Sequence, residues 1–196
     1  MWLVVGLGNP GARYEGTRHN VGFEVVERLV SRYRLSSPRE SKSARHWRGK
    51  VRGHEVMLAK PLTFMNLSGD AVGALLRYYR LPLESLIVVH DELDFPPGQV
   101  RVKVGGGHGG HNGLVSIIGH VGADFARVRV GVGKPPAADR GADHVLARFG
   151  ASDRKAIDAA IERAADAVEM ALTDGIQAAM GRFNRKESGP EASGDS

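Results

Sequence analysis

The chain has 196 residues, 42% hydrophobic and 25% charged, the balance of one ordinary soluble globular domain with a full core. It has no cysteine, which excludes a disulfide framework and a thiol nucleophile, and no apolar run approaches the roughly 18 residues of a membrane span. Lys and Arg total 27 against 22 Asp and Glu, a net charge of +5 and a pI near 9.7, a mild lean toward polyanions that a solvated surface explains about as well.

Trp2 to Val5 reads as a short buried strand ended by Gly6, and a polar stretch follows to Asn20. Val21, Val25, Leu29 and Tyr33 recur at helical spacing, which predicts a helix to about Arg34. After a polar loop from Ser36 to Arg45, His46–Val51 and Glu55–Lys60 flank Arg52-Gly53-His54 as a hairpin. Pro61 breaks the second strand, and a helix begins near Ser68 with Val72, Leu75, Leu76 and Tyr79 inward. Leu86–Val89 is a buried strand, and Asp91–Gly98 a loop. Gln99–Val104 and Ala126–Val132 alternate, setting valines against Arg101 and Lys103, and against Arg127 and Arg129. Between them a glycine-rich segment leads into a helix from about Gly113 to His120. Ser152 is placed to cap a long alanine-rich helix from Asp153 to about Leu172, which pauses near Gly175 and continues toward Phe183. Interspersed strands and helices with a hairpin predict an α/β fold: a single domain whose twisted mixed sheet is surrounded by helices. Its ligands are expected at the carboxyl ends of the strands.

Gly105-Gly-Gly-His108-Gly-Gly-His111-Asn112-Gly113-Leu114 is the most informative segment. Glycine loses the most backbone freedom on folding, so this density fits a backbone that lies close to a ligand or swings over one. The imidazoles carry protons, and the asparagine offers two donors and an acceptor. Gly6-Leu7-Gly8-Asn9-Pro10-Gly11 matches the dinucleotide pattern, but no apolar helix opens within the turn and no acidic residue ends a second strand. His19, taken alone, reads as an exposed residue at a helix start, and Asp91 either as a turn residue or as a carboxylate that orients a histidine. His90-Asp91-Glu92 and His108-x-x-His111 offer metal ligands without the i, i+4 spacing of a zinc protease. Ser68 lacks a nucleophile-elbow context and reads as a helix cap. The four cations near the glycine-rich segment suit a phosphate backbone better than a neutral metabolite.

Val4-Val-Gly-Leu-Gly-Asn-Pro-Gly11, Tyr14, Thr17-Arg-His-Asn-Val-Gly22, Lys60-Pro-Leu-Thr-Phe-Met-Asn-Leu-Ser-Gly69, His90-Asp-Glu-Leu-Asp94 and Gly105 to Leu114 occur in one order. Together they resemble the bacterial peptidyl-tRNA hydrolase family, over the chain to about Phe183. The resemblance implies a catalytic domain over residues 1–183, and the polar residues 184–196 read as a disordered tail. It also implies hydrolysis of the ester between a peptide and the tRNA 3′-terminal ribose, with peptidyl-tRNA as partner and no metal or organic cofactor. A cytoplasmic monomer without membrane contact is expected. By matching positions, His19 is the catalytic base and Asp91 its partner. Asn9, Asn66 and Asn112 line the substrate site, with Tyr14, Met65 and His111 nearby. Arg101, Lys103 and Arg129 are expected to meet the tRNA, with Arg127 less supported. The chemistry of the residues agrees: an imidazole serves as base near neutral pH, a carboxylate fixes its tautomer, and neutral amides hold a peptide backbone or an oxyanion.

Overall fold

The computed structural model describes residues 1–186. The strands are β1 (Trp2–Gly6), β2 (Arg39–Glu40), β3 (Ala44–Val51), β4 (His54–Pro61), β5 (Leu86–Glu92), β6 (Val100–Val104) and β7 (Ala126–Gly131). The helices are α1 (Val21–Arg32), α2 (Ser68–Tyr79), α3 (Asn112–Val121), α4 (Gly141–Val145), α5 (Ala151–Thr173) and α6 (Ile176–Phe183). The seven strands form one sheet in the order β2-β3-β4-β1-β5-β7-β6. The central β4, β1, β5 and β7 are parallel, and the antiparallel pairs lie toward the edges, so the mixed α/β sheet expected from the sequence is present.

The central strands are continuous apolar runs because helices cover both of their faces. Val4, Val89, Val128 and Val130 share one core with α1, α5 and α6. Leu3, Val5, Met57 and Val88 share the other with α2 and α3. The β3–β4 hairpin closes through Arg52 and Gly53, both at positive φ (51° and 85°), the conformation that a two-residue turn matched to strand twist demands. On the α1 side, β6 and β7 back onto α5 and α6 with their valines. Their other face carries Arg101, Lys103, Arg127 and Arg129 in cross-strand register.

Several sequence expectations change. β5 continues to Glu92, because Asp91 and Glu92 still pair with Val130 and Gly131 of β7, so Asp91 sits on a strand and not in a loop. Helix α5 starts earlier than Ser152 predicts: Gly150 is its N-cap, its carbonyl accepting from the Arg154 N–H at 2.8 Å, and Ser152 lies within the first turn. Ser68 does not cap α2 either; a 3-10 turn over Met65–Leu67 runs straight into the helix, and the Ser68 hydroxyl donates to the Met65 carbonyl at 2.7 Å. Strand β2 and helix α4 had no signal in a polar loop and a Pro-rich one. Asn184, placed with the tail, pairs its side-chain amide with the backbone of Val102 (2.8 and 2.7 Å) along edge strand β6. The rest of the expected tail, residues 187–196, lies outside the described residues. No helix among the described residues is long and apolar enough to cross a membrane.

Gly6, Gly8 and Gly22 serve packing, whereas Gly11 has open space around it among the described residues and sits at φ +107°. A Cβ on Gly6 would overlap the Gly22 carbonyl, and one on Gly8 would lie 2.7 Å from the Phe23 ring. A Cβ on Gly22 would overlap the Val89 carbonyl and the Leu7 backbone. Helix α1 therefore begins in direct backbone contact with the ends of β1 and β5. Gly22→Ala is expected to destabilise the fold by about 1–3 kcal/mol or more through this overlap. Denaturant unfolding checks it; an unchanged midpoint would show that the contact can relax freely.

Candidate active site

Two connections leave the carboxyl ends of parallel strands, the β1–α1 link with its 3-10 turn Arg18–Asn20 and the β4–α2 link with its turn Met65–Leu67; the glycine-rich link leaves antiparallel β6 at the opposite end, beside the start of β7, and crosses to bring His111 to the same place. At their centre is the end of β5. Asp91 is buried there, 3% exposed, and its carboxylate accepts two imidazole N–H groups. His19 Nδ1 donates to it at 2.8 Å, and His111 Nε2 donates at 2.7 Å. Burial pushes the Asp91 carboxyl up, but the two histidines outweigh that and hold it well below the usual carboxylate range.

The two histidines differ in what their second nitrogen does. His111 Nδ1 is the N-cap acceptor of α3, taking the Gly113 and Leu114 N–H groups at 3.1 and 3.4 Å, so its proton sits on Nε2. His19 is also buried, contrary to its solitary reading as an exposed residue. With Nδ1–H on Asp91, its Nε2 has no protein partner among the described residues and opens on a cleft of about 300 Å³. Burial pulls the His19 pKa down; the charge and hydrogen bond of Asp91 more than offset this, and the net shift is upward.

Asn9 does not line the His19 cleft but a second one that it shares with Asn20 and Phe23. The Asn9 Oδ1 accepts from the Met65 N–H at 2.7 Å, and its NH₂ has no hydrogen-bond partner among the described residues. The Asn9 backbone is held by Asn20, whose side chain accepts from its N–H at 2.8 Å and donates to its carbonyl at 3.0 Å. Asn66 follows Met65, and Asn112 opens α3; both are exposed. Asn112 lines the cleft beside His19, Asp91 and His111. Tyr14 stands apart on its own 3-10 turn: its carbonyl accepts from the Thr17 hydroxyl, and its ring lies 5.0 Å from the Arg13 guanidinium.

Two contributors, Asn20 and Arg18, escape the sequence reading, and a third, His90, was weighed there only as a metal ligand. Asn20 was seen only as the neighbour of His19. His90, 1% exposed, donates through Nδ1 to the Asp91 carbonyl at 2.7 Å, and its Nε2 has no partner among the described residues; burial first, then His111, pushes its pKa down to about 3. Its place on the alternation Leu86, Val88, His90 was the available signal. Arg18 donates to the carbonyls of His144, Ala147 and Arg148 (3.4, 3.3 and 3.1 Å), tying the segment that contains α4, a wall of the cleft, to the turn that carries His19.

The metal-ligand pairs weighed from sequence do not assemble: His108 is exposed and accepts the Gly110 N–H at 2.9 Å. His19, Asp91 and His111 do gather, with ligand atoms within 4.8 Å of one another. Both imidazole nitrogens that face Asp91 carry protons, however, and a cation would have to break the His111 cap of α3. The donor set fits proton transfer.

The basic face divides in two. Arg101 and Arg129 lie opposite one another and flank the Phe95 ring at 5.0 and 4.8 Å. Burial and the neighbouring cations push Lys103 and Arg129 down, with only Glu92 opposing, so the face is a positive field short of counter-charge. Arg127, grouped with this face by alternation, is 0% exposed. It donates to the carbonyls of Gly107 and Gly106 at 2.5 and 2.7 Å, and so does not offer itself to a phosphate.

Comparison with known proteins fits these features. The sequence profile of the Peptidyl-tRNA hydrolase family matches residues 3–191. A peptidyl-tRNA hydrolase of Leifsonia xyli is 51% identical over 187 residues, 94% of this chain and 97% of its own. That of Dehalococcoides mccartyi is 46% identical over 188 residues, covering 94% and 100%. The crystal structure of peptidyl-tRNA hydrolase from Acinetobacter baumannii superposes with a TM-score of 0.89 at 40% identity, covering 94% of each chain. With a shared fold and nearly full-length sequence identity of this order, the chain belongs to the peptidyl-tRNA hydrolase family.

Proposed function

We propose that this chain hydrolyses the ester between a peptide C-terminus and the 3′-terminal ribose of tRNA, and so returns tRNA from prematurely released peptidyl-tRNA. The observation that carries this is His19, pinned through Nδ1 to a buried carboxylate with Nε2 open to the cleft. Nε2 takes a proton from water as the oxygen attacks the ester carbonyl. The imidazolium that forms lies against Asp91, which stabilises it and keeps the ring in one tautomer. It then returns the proton to the departing ribose oxygen.

The amide donor of Asn9, with Asn66 and Asn112, is assigned to the peptide backbone and the developing oxyanion. Met65 and His111 complete the wall, and Tyr14 contacts the substrate farther out. These amides are neutral, so an acylated nitrogen fits and a charged α-amino group would be desolvated without a partner. Arg101, Lys103 and Arg129 hold tRNA phosphates. Residues 1–183 form the catalytic unit, acting as a monomer in the cytoplasm with no metal in the reaction. The test is N-acyl-aminoacyl-tRNA beside aminoacyl-tRNA, with and without a chelator. Loss of the acylated ester alone, unaffected by chelation, supports the reading; equal hydrolysis of both, or of neither, overturns it.

His19→Ala is expected to lower turnover by about 10²–10⁴-fold while tRNA still binds. The pH profile supplies the sign. The base acts as neutral imidazole, so kcat/KM rises as pH passes the His19 pKa, and Asp91 moves that limb above the ordinary imidazole range. Asp91→Asn removes the raising charge and leaves burial, so the acid limb moves to lower pH while the plateau falls. A limb that stays in place would detach Asp91 from His19.

Among the asparagines, Asn9→Ala is expected to cost on the order of 10²–10³ in kcat, as for an oxyanion donor, and exposed Asn66→Ala to act more on KM. Steady-state kinetics separates the two, and equal effects on KM alone would remove Asn9 from the reaction centre.

For the basic face, Arg101→Ala, Lys103→Ala or Arg129→Ala should each weaken full-length tRNA binding and reduce its salt slope by about one. The loss should be larger on full tRNA than on a short 3′ fragment ester. Equal losses on both substrates would place these cations at the reaction centre.

A further inference from the structure

We propose that Arg127 is a positioning residue for this reaction: it holds the Gly106 and Gly107 carbonyls and so sets the glycine-rich segment that walls the cleft and leads His111 to Asp91. The proposal rests on the function given above and adds a residue to it.

Alternation on β7 puts Arg127 on the same face as Arg129, yet Arg127 is fully buried. Its guanidinium lies 4.8 Å from the Phe125 ring and has no carboxylate partner among the described residues. A buried cation is costly unless its donors are satisfied, and here peptide carbonyls do that work, with no acceptor for Nε among the described residues. Such a residue is poorly explained by stability alone.

What it grips explains it better. Gly105 and Gly106 sit at φ +70° and +94°, conformations that glycine adopts without strain. Residues 106–110 are exposed. Gly105 is tied by its N–H to the Phe125 carbonyl at 3.1 Å, and the bonds of His108 to Gly110 and His111 are internal to the segment. Among the described residues, the two Arg127 bonds are the hydrogen bonds that join residues 106–110 to the rest of the protein. Downstream, His108, Gly109 and Gly110 line the cleft, and His111 reaches Asp91. A glycine-rich segment without this tether would spread over many conformations.

The test compares wild type, Arg127→Lys and Arg127→Ala on N-acyl-aminoacyl-tRNA and on the N-acyl-aminoacyl ester of a short 3′ fragment. Wild-type hydrolysis of both is established first, so failure of the functional assignment shows before any variant is made. Arg127→Ala should lower kcat about 10–100-fold on both substrates alike, the scale of a small misplacement at a reacting centre. The tRNA Kd and its salt slope should stay as in wild type, and Arg127→Lys should recover part of the loss. The acid limb of kcat/KM should move to higher pH, because Asp91 loses the His111 donor and holds the His19 imidazolium more tightly. A purely structural role would lower Tm and the active fraction but leave that limb in place. Loss confined to full tRNA with a reduced salt slope would make Arg127 a phosphate contact and overturn the proposal, as would unchanged kcat on both substrates. If the alanine variant does not fold, NMR of the wild-type guanidinium decides: distinct, slowly exchanging Nη–H signals support the tether, and signals averaged as in an exposed arginine overturn it.

Discussion

A negative charge buried at the end of β5 is the constraint on which the rest of the site depends. An unpaired carboxylate at 3% exposure would be costly by several kcal/mol, and it is kept charged by two imidazole donors from distant parts of the chain. Satisfying it fixes both tautomers, in opposite senses. His111 must donate from Nε2, because its Nδ1 already accepts the first amides of α3. His19 donates from Nδ1, and its Nε2 meets no other protein group among the described residues. The base is therefore singled out by hydrogen-bond accounting: of two histidines on one carboxylate, only one keeps an uncommitted lone pair.

That arrangement needs backbone to approach backbone closely, and glycine supplies it. Gly6 and Gly22 let α1 start against the ends of β1 and β5, which places His19 and Asn20 over Asp91 and Asn9. Gly113 does the same for α3: a Cβ there would lie 2.7 Å from the Met65 sulfur and 2.9 Å from Leu7. The first two glycines of the pattern Gly6-x-Gly8-x-x-Gly11 thus resemble a dinucleotide fingerprint for a packing reason, while Gly11 is there for its positive φ of 107°. Both solutions bring a helix close to a strand end, but here the helix begins at Val21 and the intervening turn delivers a histidine.

The sheet was legible because its signals are local. Alternation on β6 and β7, the apolar run of β5 and the Arg52-Gly53 turn each act within a few residues. The site was less legible because its bonds are long-range. Asp91 and His19 are 72 positions apart, and the residues alone left each with a bland explanation; the resemblance to a family paired them. Ser152 and Ser68 misled because the hydrogen bonding of a helix start depends on the chain entering it, a glycine in one case and a 3-10 turn in the other. Arg127 misled in a more instructive way. Period-two reasoning assigns a face of the sheet, but not what later folds over that face.

The fate of the basic face shows how binding and chemistry are linked in one short stretch of chain. Strand β6 carries Arg101 and Lys103, passes through the glycine-rich segment, and arrives at His111 and Asn112 within a dozen residues. These half-buried cations, with Arg129 across from Arg101, give a long-range field suited to a polyanion, with affinity that salt can tune. The reaction centre needs the opposite: a few short, desolvated bonds whose geometry does not change with ionic strength. Arg127 lies at the boundary between them, with the charge of the first region and the burial of the second. Its bonds go to neutral carbonyls, so its positive charge is spent on fixing backbone. An arginine rather than a lysine suits that place, because a planar fork can serve two successive carbonyls at once.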